Sequence, residues 1–181
     1  MASSEIVSSF DDLPRLPPAD IAICALGTTI RQAGTQAAFR AIDEEAVVSF
    51  AKAAKAAGVD HFLVVTAVGA NPDASVFYSR VKGQTEGQLM TMGFKRLDII
   101  RPGLLLGDRK ERRPIEALLQ HIAPATDLLM HGKWRRYRSM QAADAAQCLL
   151  GLAANKQPGV HTHHFDDVMK VLQSPSQDVT K

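Results

Sequence analysis

The stretch that decides the fold runs from residue 61 to residue 103: HFLVVTAVGANPDASVFYSRVKGQTEGQLMTMGFKRLDIIRPG. It opens on an unbroken apolar run, His61 to Thr66 (HFLVVT), and passes through a helical segment, Tyr78 to Met92, closed by Gly93. It ends in a second apolar run, Leu97 to Ile100, followed by Arg101-Pro102-Gly103. Continuous apolar runs, unlike alternating ones, belong to strands covered on both faces. A glycine directly behind a helical stretch supplies the left-handed cap that ends it. Strand, helix, strand with short joints is the pattern of a right-handed parallel crossover.

Upstream the same unit repeats. Ile21 to Leu26 (IAICAL) is a strand candidate, and roughly Asp43 to Ala57 (DEEAVVSFAKAAKAA) is a helix closed by Gly58. The whole therefore predicts an α/β protein with a Rossmann-like, doubly wound parallel sheet. After Gly107 the pattern loosens. DRKERRPIEALLQHI reads as a basic loop entering a helix at Pro114, and Met130 to Arg138 as an irregular or hairpin segment. Met140 to Ala154 reads as a helix, Val160 to Phe165 as a late strand, and the tail from Ser174 as disordered. The expected organisation is one domain over residues 1–173, incomplete at its N-terminus, with a tail over 174–181.

A chain of 181 residues with 46% hydrophobic content can bury one sizeable core. A net charge of +2, with cations spread along the chain, selects neither nucleic acid nor an anionic membrane as partner. Cys24 and Cys148 each sit inside an apolar run, as buried thiols do, which fits a reducing compartment. No apolar run reaches membrane-spanning length and the first ten residues lack a signal-peptide pattern, so a cytoplasmic protein is expected.

Ligands of open parallel sheets bind at the carboxyl ends of the strands. Here those ends carry Gly27-Thr28-Thr29, Thr66-Ala67-Val68-Gly69 and Arg101-Pro102-Gly103. Gly27 and Gly103 would admit a flat ligand to the main chain, and Thr28 and Thr66 offer hydroxyls. Tyr78 and Lys82, four apart, share one helix face. An ammonium beside the phenol would lower its pKa from about 10 by favouring the phenolate. Tyr78 is then a candidate general acid or base for carbonyl reduction or alcohol oxidation, with Thr66 donating to the same substrate oxygen. The Tyr-Lys spacing is weak by itself. Its position, 12 residues after a strand-ending Thr and ahead of a strand ending in RPG, gives it meaning.

With CALGTTIRQAG (24–34), FRAID (39–43), HFLVVTAVGA (61–70), FYSRVKGQTE (77–86) and RPGLLLGDRKERRPIE (101–116), the chain resembles the atypical short-chain dehydrogenase/reductases. Within them it is most similar to the Tat-interacting-protein-like, NmrA-like, NAD(P)H-binding subgroup. That resemblance implies Leu26, Gly27 and Thr28 on the adenosine side of the cofactor. It implies Thr66, Tyr78 and Lys82 as the catalytic set, with Lys82 also holding the nicotinamide ribose. Arg101, Pro102 and Gly103 would line the nicotinamide end. The cofactor would be NADP or NAD, NADP slightly favoured, and the other partner a small-molecule substrate. A non-catalytic nucleotide-sensing or protein-interaction role on the same fold is the alternative.

The chain departs from that family in having no GxxGxxG turn, the device that holds a pyrophosphate on main-chain amides and a helix N-terminus. EIVSSFDDL (5–13) looks like the family's third strand, which would leave Ile21 to Leu26 as an exposed apolar edge. A homodimer, a protein partner or a re-paired EIVSSF strand would cover it, although ten residues with two tandem prolines make a short crossover. Weak nucleotide binding is therefore expected.

Three other clusters carry less. His161 and His163 share a strand side as metal ligands can, but no carboxylate or thiol stands at ligand spacing, and no metal is expected. KWRRYR (133–138) mixes cations and aromatics like a single-strand binder, yet reads better as a solvated loop whose cationic stems cover Trp134 and Tyr137. Arg109, Glu111, Arg112, Arg113 and Glu116 could form a surface ion-pair network or a lid.

Overall fold

The computed structural model describes residues 16–107 and 130–173. The expected strand at EIVSSF, the basic segment 109–116 with its helix from Pro114, and the tail from Ser174 lie outside the described residues.

Among the described residues six strands follow in chain order: β1 Ile21–Cys24, β2 His61–Val65, β3 Arg96–Ile100, β4 Leu105–Leu106, β5 Met140–Gln141 and β6 Gly159–His163. Four of them form a parallel sheet in the order β1-β2-β3-β6, and β4 and β5 make a small parallel pair. His61 lies opposite both Ile21 and Arg96, and Arg96 opposite Gly159. The four strands thus start level and deliver their carboxyl ends to one side.

Side chains alternate between sheet faces. Phe62, Val64, Leu97 and Ile99 join Cys24 on one face, against helix α3 (Val47–Ala56) and helix α4 (Phe77–Met90). Leu63 and Ile100 project to the other face, against helix α5 (Ala142–Ala153) and helix α6 (Phe165–Gln173). Two separate apolar clusters therefore sandwich the sheet, which is the doubly wound arrangement that the unbroken runs predict. Each fully buried aliphatic or aromatic side chain contributes about 1.5–3 kcal/mol to holding the layers together.

The helix expected over residues 43–57 is longer and composite. Thr29 caps helix α1 (Ile30–Ala33) by accepting the Gln32 N–H, and Thr35 caps helix α2 (Gln36–Arg40) by accepting the Ala38 N–H. A π-helical turn, Ala41–Ala46, then joins α2 to α3. Such turns are rare and concentrate at functional sites; this one carries Asp43, which is fully buried. Gly58 and Gly93, at φ 91° and 71°, end the two crossover helices in the left-handed conformation expected of them. The expected strand over 160–165 stops at His163, because Asp167 accepts the His164 N–H at 3.1 Å and starts α6 there.

Among the described residues β1 is a sheet edge, with Ile21 and Ile23 38% and 39% exposed. Among the described residues the apolar edge foreseen from the sequence is present.

Candidate active site

The carboxyl ends of β1, β2 and β3 and the face of α4 enclose a cleft of about 310 Å³. Leu26, Gly27 and Thr28 line one wall, Thr66, Tyr78 and Lys82 the middle, and Pro102 to Gly107 the other wall. The fold therefore brings together eight of the nine residues expected at the site. The ninth, Arg101, turns elsewhere.

Tyr78 and Lys82 sit one turn apart on α4, as their spacing requires. Their electrostatics differ from expectation. The Lys82 ammonium is buried 2.7 Å from Asp43 Oδ1, with the two side chains 5% and 0% exposed. The other Asp43 oxygen accepts the Thr28 main-chain N–H at 2.9 Å. Lysine's charge is matched by this carboxylate and does not act on the phenol alone. Burial and the nearby Asp43 push Tyr78 above the usual tyrosine range, where the sequence had suggested a lowered value. Its ring packs on Phe39 of α2, centroids 5.4 Å apart.

Thr66 is 6% exposed and its hydroxyl donates to Glu86 Oε1 at 2.5 Å. The hydroxyl expected to serve a substrate oxygen is engaged here by a buried carboxylate of α4. Arg101 pairs with the same carboxylate, its Nε donating to Oε1 at 3.0 Å and its terminal nitrogen bonding Oε2. Arg101 therefore ties β3 to α4 from behind the cleft and does not line it. Gly103 also serves the fold, since a Cβ there would meet the Tyr137 and Arg138 carbonyl oxygens at 2.5 Å. Gly27 behaves differently: a Cβ would press on Asp43 Oδ1 at 3.2 Å and Lys82 Nζ at 3.4 Å. Its bare backbone is what lets the strand end lie against the ion pair.

Asp43 is the site residue that the sequence reading passed over. The signal was there. Phe39, Asp43, Ala46 and Val47 follow one another at positions i, i+4, i+7 and i+8, and all four are buried. A carboxylate inside an apolar helical stripe needs a cationic or hydrogen-bonding partner.

Of the lesser clusters, His163 is engaged with Asp98, Nε2 to Oδ1 2.7 Å, and stacks on His161 at 6.4 Å. Among the described residues no group of three or more His, Cys, Asp or Glu is arranged to hold a metal. In the 3-10 turn Gly132–Tyr137, Arg136 lies over the Tyr137 ring at 5.0 Å, and Trp134 is 59% exposed.

A parallel doubly wound sheet with its cleft at the strand ends is the architecture of Rossmann-like nucleotide-binding domains, and solved structures share this fold. MoeE5 in complex with UDP-glucuronic acid and NAD superposes with a TM-score of 0.65 at 14% identity, over 87% of this chain and 60% of that one. UDP-N-acetylglucosamine 4-epimerase from Bacillus cereus gives 0.60 at 16% identity, over 86% and 63%. Closer relatives exist in sequence. Protein FMP52, mitochondrial, of Coccidioides immitis is 36% identical over 142 residues, 77% of this chain and 58% of its own length. Protein HTATIP2 of Rattus norvegicus is 40% identical over 116 residues, 62% and 48%. No protein-family profile matches the chain. The chain is thus a homologue of the HTATIP2 and FMP52 proteins, of the atypical short-chain dehydrogenase/reductase family. It spans about half the length of the curated relatives it matches. The FMP52 relatives are named mitochondrial, which does not fit the plain cytoplasmic location expected from the sequence. Among the described residues no helix is long and apolar enough to cross a membrane.

Proposed function

We propose that the cleft takes a nicotinamide nucleotide, NADP ahead of NAD, and that Tyr78 protonates the oxygen of a small carbonyl substrate. The observation that carries this reading is the convergence of Tyr78, Lys82, Gly27 and Thr28 on one cleft at the strand ends. The residues fit parts of such a group: Gly27 offers bare backbone and Thr28 a hydroxyl on the adenosine side, and Lys82 an ammonium at the nicotinamide ribose. They do not include a Gly-rich turn for the pyrophosphate, so the 181-residue chain binds NADPH more weakly than micromolar. A calorimetric titration with a micromolar or tighter constant would contradict that.

The bound nucleotide supplies hydride. The chain supplies the proton and the placement. Burial and Asp43 favour the protonated phenol, the form in which Tyr78 can donate a proton. Tyr78→Phe should remove the proton donor and lower turnover about 10²-fold or more while leaving the fold intact. Turnover unaffected by that change, measured over a panel of aldehydes and ketones, would end the proposal.

A second reading, nucleotide sensing without turnover, is favoured by the Thr66 hydroxyl being occupied by Glu86. Nucleotide binding with no carbonyl reduced anywhere in the panel would decide for it. Coverage of the β1 edge by a second copy or another protein remains part of the proposal, with sedimentation of the purified chain as its check.

A further inference from the structure

We propose that Asp43 is the positioning residue of this cleft: one carboxylate oxygen holds the Lys82 ammonium and the other the Thr28 main-chain amide. Strand end and proton-transfer helix are thereby fixed at one spacing, with a negative charge beside Tyr78. The inference rests on the proton-transfer reading above and specifies what keeps that site in register.

The geometry is that of a clamp. Asp43 Oδ1 lies 2.7 Å from Lys82 Nζ, and Oδ2 accepts the Thr28 N–H at 2.9 Å. The Asp43 main-chain carbonyl accepts the Thr85 hydroxyl at 3.0 Å, so α4 is bound to this one residue through both side chain and backbone. The π-helical turn delivers the carboxylate: its extra residue per turn is a local departure that an ordinary helix would not make without a reason. Gly27 completes the arrangement, since any side chain there would contact both members of the ion pair.

A fully buried carboxylate is costly unless its oxygens are engaged and a cation faces it. For Asp43, Oδ2 is hydrogen-bonded to the Thr28 amide and the Lys82 cation faces Oδ1, and that pairing changes what Lys82 can do. An ammonium whose field is matched by a carboxylate at contact distance lowers a neighbouring phenol's pKa far less than a free one. Lysine is left with the protons not directed at Asp43, which can hold hydroxyls of a ligand in the cleft. Of the other charges on the described elements, Arg40 pairs with Glu44 and Arg101 with Glu86, while Arg80 of α4 is held by the Ala74 and Ser75 carbonyls. Phe39, the ring packed on Tyr78 from α2, is uncharged. Among the described residues Asp43 is the carboxylate whose charge favours the protonated phenol of Tyr78.

The chain has two tyrosines, so a Tyr137→Phe background leaves Tyr78 as the one phenol in an ultraviolet absorbance titration. Asp43→Asn in that background keeps the size and an acceptor oxygen but removes the charge. Tyr78 should then ionise at lower pH, by on the order of one unit. A folded Asp43→Asn protein in which Tyr78 titrates as in the parent would overturn the inference, whereas a merely structural role would move the melting temperature and not the titration. A measurement on the unsubstituted chain guards against a variant that fails to fold. By hydrogen exchange the Thr28 amide should be protected through its bond to Asp43, and exchange at the rate of an unstructured peptide would also overturn the clamp. Neither readout needs turnover. A shifted titration in a protein that reduces no carbonyl would sink the reaction and keep the clamp; turnover with an unmoved titration would do the opposite.

Discussion

Thr66 shows how far a single residue can be read. Its place at the end of β2 follows from the apolar run before it, but which way its hydroxyl turns depends on Glu86, twenty residues later, and on Arg101 beyond that. Neither partner is marked by spacing, so the sequence put the hydroxyl on the substrate, whereas the structure puts it on a carboxylate. The same blindness hid Asp43, whose partner Lys82 stands on a different helix. The two possible roles of Thr66 separate cleanly in Thr66→Val, which keeps the shape and removes the donor. If the hydroxyl serves Glu86, the variant loses about 1–3 kcal/mol, since a hydrogen bond to a buried charged group is lost. Urea unfolding should then show a lower midpoint, and the rate constant per folded molecule should stay near that of the parent. A collapsed rate with an unchanged midpoint would return Thr66 to the substrate.

At the scale of elements, helix α4 carries two glycines with opposite meanings. A Cβ on Gly83 would meet the Asn71 carbonyl carbon and the Pro72 nitrogen at 2.2 Å, both main-chain atoms that cannot swing aside. The loop after β2 therefore lies directly on the helix, where the Asn71 N–H also donates to the Ser79 carbonyl. Gly87, one turn on, is exposed and has nothing within 4 Å. Gly83→Ala should destabilise by about 1–3 kcal/mol through overpacking, in spite of its better helix propensity. Gly87→Ala should stabilise by about 0.5–1 kcal/mol. Thermal melts of the two variants moving in the same direction would refute this account of the loop contact. Elements were legible where apolar periodicity and a capping glycine agreed, as for β2, α4 and β3. They were misjudged where a side chain set the boundary, as when Asp167 caps α6 and cuts short the strand expected to reach Phe165.

For the whole molecule, the layer order was written in the unbroken strand runs, because a strand with no polar face must be covered twice. The one charge set into such a run, Asp98 in LDII, is where the pattern ceases to be informative. Three strands meet there: Asp98 is fully buried and lies 2.7 Å from His61 Nε2 of β2 and 2.7 Å from His163 Nε2 of β6. Arg96 of β3 donates to both of its oxygens, at 2.5 and 2.8 Å. Burial pushes this carboxyl up, but the hydrogen bonds from His163, Arg96 and His61 outweigh it and hold the pKa down to about 2, from 3.8. A folded-state value below the unfolded one means that the unfolded chain binds the proton more readily. The resulting stabilisation is complete above the unfolded value and disappears as pH falls toward the folded one. At about 1.4 kcal/mol per pKa unit it amounts to about 2 kcal/mol. Urea midpoints of the intact chain should therefore drop over the interval from roughly pH 4 down to pH 2. Asp98→Asn should unfold more easily at neutral pH, because it leaves Arg96 buried without its counter-charge, and its midpoint should fall less steeply across that interval. If parent and variant lose stability in parallel below pH 4, the three-strand cluster is not what ties this sheet to its protonation state.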